Sequence, residues 1–158
     1  MNSYNFFGTL NTVFIFISLI GVLSQLQKIW ERKRHDISKN NAAELLSLNQ
    51  FSVSFLAYFS FFVYGYSIEP FNHYIVWPRL IASIVVGVIL YEIWQDRRSK
   101  ASMTCLSIAV LIFLLGGLGF IYGNTHSDST KLTSTSLIVV VTLLIAQGYY
   151  HPIMLITR

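Results

Sequence analysis

Charge is scarce in this chain: acidic and basic side chains make up 11% of its 158 residues, against about a quarter on an ordinary globular surface. With 54% of the residues hydrophobic, that shortage excludes a conventional water-soluble domain. Cysteine is nearly absent as well. The one thiol, Cys105, falls inside an apolar run, which rules out a disulfide framework or a cysteine-built metal cluster within one chain and leaves small-residue packing as its role. There is no Gly-rich phosphate loop, no Cys/His metal spacing and no nucleophile elbow, and His35, His73, His126 and His151 are scattered. The expectation is a protein with no catalytic residues, no metal and no cofactor. His151, near Gln147, is the one histidine placed to relay protons, with a simple hydrogen-bonded role as the alternative. Met1 to Asn5 lack the basic stretch and small-residue cleavage site of a secretory leader, so the first apolar segment is expected to persist as a helix.

What the sequence has in plenty is long apolar runs. A helix needs roughly 20 apolar residues to cross the hydrocarbon core, and Phe6 to Ile29, Leu48 to Tyr66, Tyr74 to Trp94, Met103 to Tyr122 and Ser134 to Ile156 each supply that length. The expected fold is an all-α integral membrane protein of about five transmembrane helices in a lipid bilayer. The net charge of +4 does not point to nucleic acid, because the basic residues sit at the ends of apolar runs and not along one face of a domain. Lys28, Arg32, Lys33, Arg34, Lys39, Arg97, Arg98, Lys100 and Arg158 gather on one side of the expected bundle and Lys131 on the other. The positive-inside rule then puts the N-terminus outside and the C-terminus in the cytoplasm. Trp30 and Trp94 fall at the expected inner helix ends and Trp77 near an outer one, where the indole favours the headgroup layer.

Comparing the helices with one another matches Ser24-Gln25-Leu26 with Ala146-Gln147-Gly148. A glutamine in a membrane-spanning helix needs a hydrogen-bond partner, so two at equivalent depth suggest shared bonding or a lined cavity. Ser24-Gln25-Leu26-Gln27-Lys28-Ile29-Trp30 leads into Arg32-Lys33-Arg34-His35-Asp36-Ile37-Ser38; further on come Phe61-Phe62-Val63-Tyr64-Gly65 and Trp77-Pro78-Arg79-Leu80. In order and spacing these segments resemble the PQ-loop superfamily, which includes the SWEET and SemiSWEET sugar transporters and the lysosomal cystine exporter. They look like its proline-glutamine pair with a basic, serine-containing loop, its Trp-x-x-Tyr-Gly at the end of the second helix, and its Pro-Asn in the third. The resemblance implies a three-helix unit over residues 1–100, a linker helix over 101–123 and the first helix of a second repeat over 132–158.

Departures from the family pattern carry information too. Ser24 and Ala146 stand where the family has proline, which removes the kink that proline causes, while Pro152 is placed to bend the fifth helix at another level. Phe61 replaces a tryptophan, and Arg79 replaces the asparagine that helps bind sugar in the transporters, which turns the expectation from sugar towards an anionic solute. The family's full-length members have seven helices. Five here implies a truncated form, a homo-oligomer or partner chain that completes the second bundle, or a relative that does not transport; the end just where a second basic loop would begin favours truncation.

Two function classes follow. The first is a transporter of a small polar or anionic solute, with Gln25, Phe61, Arg79 and Gln147 as substrate-binding residues. The second is a non-transporting membrane module: a subunit, scaffold, sensor or part of a lipid-modifying system. Arg79 is the most telling residue, because a guanidinium stays charged and is costly in hydrocarbon unless paired, hydrated or reaching for the headgroups. Two readings stand for it: a group that snorkels outward or pairs with Glu69, or one that faces a cavity and holds an anion. The crowded aromatics of Leu48 to Tyr66 are expected to pack inward or meet lipid, Asn49 and Gln50 to serve at the helix start, Glu92 to pair with Arg97 or Arg98, and Gly116, Gly117 and Gly119 to allow close helix packing.

Overall fold

The computed structural model describes residues 3–34, 42, 43 and 46–122 and, in the fifth apolar stretch, residues 132, 135, 136, 138–140, 142, 143 and 145. All regular structure among the described residues is helical: α1 Ser3–Arg34, α2 Leu48–Ser67, α3 His73–Arg97 and α4 Lys100–Tyr122. Three of them, α1, α3 and α4, are long and apolar enough to cross a membrane. At 20 residues α2 is also long enough, about 30 Å, but its serines, tyrosines and amides lower its hydropathy. In the fifth stretch the described residues are helical, whereas Gln147, His151 and Pro152 lie outside the described residues.

Helix starts and stops follow local chemistry. Ser47 caps α2, its hydroxyl accepting from the Gln50 amide at 3.3 Å, so Asn49 and Gln50 are not the cap. At the other end of α3, Arg98 takes a left-handed conformation (φ 44°) and its amide closes on the Trp94 carbonyl at 2.8 Å. Ser99 then accepts from the Ser102 amide at 3.1 Å, and α4 sets off antiparallel to α3. The first helix runs unbroken through Ser24, whose hydroxyl bonds the Ile20 carbonyl at 2.9 Å.

Packing is centred on α3, which meets each of the other three helices, while the backbones of α1 and α2 do not meet. The core face of α2 is Phe51, Phe55, Phe59, Phe62 and Tyr66, all buried at the spacing of one helical stripe. Phe113 and Phe120 of α4 join this stack. Close approach there depends on Gly116, where a Cβ would stand 2.1 Å from Cζ of Phe59. Gly119 lies near the Tyr66 hydroxyl, and Gly117 faces open space. Between α1 and α3 the same device recurs, with Gly8 lying against the Tyr74 ring. The remaining faces of α1 and α4 expose large apolar side chains, among them Phe14, Ile17, Ile20, Leu111, Leu114 and Ile121. A patch of that size does not belong in water.

Candidate functional site: a cavity closed by Arg79

The face of α2 opposite the core carries Gln50, Ser54, Ala57 and Phe61, again one helical stripe. With Ser47, Asn49, Val53, Tyr58, Arg79 of α3 and Ile145 of the fifth stretch, these residues line a cavity of about 520 Å³. That is the size of a small-molecule site. Its walls mix amides and hydroxyls with small apolar groups, and Arg79 is the one charged residue among them.

Arg79 sits two turns into α3. Its guanidinium carbon lies 4.8 Å from the centre of the Phe61 ring and 5.4 Å from that of Tyr58. The two rings are three residues apart and so share a helix face. Because helical side chains lean towards the N-terminus, Arg79 could have reached for the nearby start of α3. Instead it packs on rings about 9 to 13 Å from that end of α2, a level no nearer the end than its own backbone. Its partners are π faces, each worth about 0.5–2 kcal/mol depending on desolvation, and no described carboxylate forms an ion pair with it. Its buried Nε has no acceptor among the described residues. Beside this group the hydroxyls of Tyr58 and Ser18 lie 3.5 Å apart, reaching across from α2 to α1.

Of the expected site residues, Phe61 and Arg79 come together. Gln25 does not join them: it is exposed on α1 and is not part of the cavity wall. Gln147 lies outside the described residues. The stripe Gln50, Ser54, Ala57 and Phe61 has helical spacing in the sequence, but Gln50 there also suits a helix start, which hides its place in the wall.

A second polar cluster lies at the basic end of the bundle. Glu92, only 8% exposed, accepts from the Trp30 indole at 2.8 Å and pairs with Lys33. Lys33 also lies 3.1 Å from Asp96 and donates to Gln95 at 2.8 Å, and Asp96 accepts from the Ala43 amide at 2.7 Å. Glu92 is thus paired, as its place near the basic end suggests, and its partners come from α1. Arg32 donates to the Ala42 carbonyl at 3.1 Å, and Arg97 to that of Leu46. These contacts clamp α1, α3 and the segment before α2. Its side chains are committed to one another and to backbone carbonyls, so this cluster is structural in what it can do.

No protein-family model, no curated protein and no solved structure matches this chain.

Proposed function

We propose that this chain is an integral membrane protein whose α2–α3 cavity binds a small polar or anionic solute as part of a PQ-loop-like carrier, with Arg79 as the anion receptor. The observation that carries the reading is the place of Arg79 in the cavity wall, with its charge answered by two aromatic faces and by no ion pair among the described residues. A guanidinium held inside hydrocarbon costs several kcal/mol, and a chain that spends so few charges elsewhere retains one here for use. Phe61 and Tyr58 fix its orientation, leaving donors of the planar fork for a bidentate acceptor.

The apolar faces of α1 and α4 support immersion in a bilayer, and the basic end of the bundle supports a cytoplasmic position for it, with the N-terminus outside. Gln147, two residues beyond the cavity residue Ile145, is proposed to complete the path, and Gln25 to meet a partner: a second copy or another chain. Uptake of radiolabelled organic anions into proteoliposomes tests the reading. Wild-type protein is expected to take up an anion that Arg79→Gln does not, and equal uptake by both would remove Arg79 from the function.

The exposed position of Gln25, away from the cavity, favours a second reading, a membrane module that binds the solute without carrying it. Saturable binding with no uptake would select it.

A further inference from the structure

The proposal just made leaves open what kind of anion the cavity takes, and the count of charges around it narrows the class. Resting on the reading of Arg79 as an anion receptor, we infer that the cavity selects organic anions bearing a single negative charge and a short, mostly apolar body. A dianion of the same shape is bound at least about tenfold more weakly.

Arg79 supplies one positive charge, and the other described lining residues are neutral. The cations of the clamp are committed elsewhere: Lys33 is held between Glu92 and Asp96, Arg32 by the Ala42 carbonyl and Arg97 by that of Leu46. A monoanion on Arg79 leaves the filled cavity neutral. A dianion leaves it with one uncompensated negative charge, in surroundings where an unpaired charge is costly. Charge stoichiometry therefore discriminates between ligands that hydrogen-bond geometry alone would treat alike.

Shape narrows the class further. The wall from Gln50 to Phe61 spans eleven residues of α2, about 16 Å, with the cation at one end and the Gln50 and Asn49 amides at the other. Between them Val53, Ala57 and Ile145 present apolar surface, interrupted by the Ser54 hydroxyl. A volume of about 520 Å³ is far larger than a halide needs. It suits an anionic head on Arg79 with a short chain laid along α2 and a polar tail group at the amides.

A pair of probes of matched shape tests this. Butylsulfonate carries one negative charge at any working pH, while butylphosphonate carries one below its second ionisation and two above it. Affinities are measured by calorimetry on nanodisc-reconstituted wild-type protein, Arg79→Lys and Arg79→Gln, each checked for a monodisperse, helical fold. We expect butylsulfonate affinity to be independent of pH, and butylphosphonate affinity to fall at least about tenfold as its second proton leaves. Arg79→Lys is expected to keep that preference and Arg79→Gln to bind neither probe. If the dianion binds wild type as tightly as the monoanion, and both depend on Arg79, the inference is overturned while the anion receptor stands. If neither probe binds wild type, or Arg79→Gln binds them equally well, the receptor and the inference fall together.

Discussion

The Thr12 hydroxyl lies 3.2 Å from the Tyr74 carbonyl, the carbonyl that Pro78, four residues on, deprives of its helical donor. One helix thus repairs a break in another. The single Thr12 proton is shared with the Gly8 carbonyl at 3.0 Å, so the repair is partial; Gly8 is also where the Tyr74 ring packs, which puts it in the same turn as the close approach of α1 to α3.

A double-mutant cycle reads that relationship. Thr12→Val is expected to cost about 1 kcal/mol, since interhelical hydrogen bonds in membranes average somewhat less and a stranded carbonyl somewhat more. In a Pro78→Ala background residue 78 can donate to Tyr74 itself, and the cost of Thr12→Val should shrink towards zero. Equal costs in the two backgrounds, measured by reversible unfolding in mixed detergent, would dissociate Thr12 from the proline.

Gly116 and Gly117 are neighbours with opposite expectations. A Cβ at Gly116 would stand 2.1 Å from the Phe59 ring, which is buried and stacked on Phe55 at 6.0 Å, so Gly116→Ala should destabilise by about 1–3 kcal/mol through overpacking. Gly117 meets nothing within 4 Å, and Gly117→Ala should be neutral or stabilising by up to about 1 kcal/mol from helix propensity. Thermal melts followed by circular dichroism compare the two directly.

The clamp at the basic end predicts a third asymmetry. Lys33→Met strands Glu92 and Asp96 beside each other, and the loss of a mostly buried cation between them is expected to cost about 3 kcal/mol. Exchanging the charges, Lys33→Glu with Glu92→Lys, should recover part of it. If Lys33→Met melts like wild type, the cluster is a surface pairing with no structural weight.

How far the sequence itself leads is clearest in these same residues. Apolar run length located α1 to α4 because the membrane's thickness sets a minimum that only long runs satisfy. The extension of α1 from Ile29 to Arg34 was not legible: the chain turns polar there, and the helix continues because Lys33 meets carboxylates more than fifty residues away. Arg79 stood out as a cation among apolar neighbours, yet its contact with Phe61 depends on how α2 is rotated against α3, which hydropathy does not encode. Gln25 was singled out for its pairing with Gln147, a likeness of sequence that carries no information about which way a side chain on α1 points.

The aromatic shelf gives a fourth expectation. Phe61→Leu removes the nearer ring from Arg79 while preserving bulk, so the guanidinium loses about 1 kcal/mol of support and anion affinity should fall severalfold with little change in melting temperature. Tyr58→Phe keeps a π face and should be much milder. Calorimetric titration with butylsulfonate ranks the two.

An anion that enters the cavity and rests on Arg79 must disturb the Phe61 ring, the nearest aromatic contact of the guanidinium at 4.8 Å, so a fluorine probe there reports its arrival. With 4-fluorophenylalanine incorporated at position 61, titration of butylsulfonate into the nanodisc-reconstituted protein should produce a saturable shift of the ¹⁹F resonance. The same titration should leave the resonance unmoved in the Arg79→Gln background. A saturable shift that survives Arg79→Gln, or none at all in a folded protein that retains Arg79, would contradict the account.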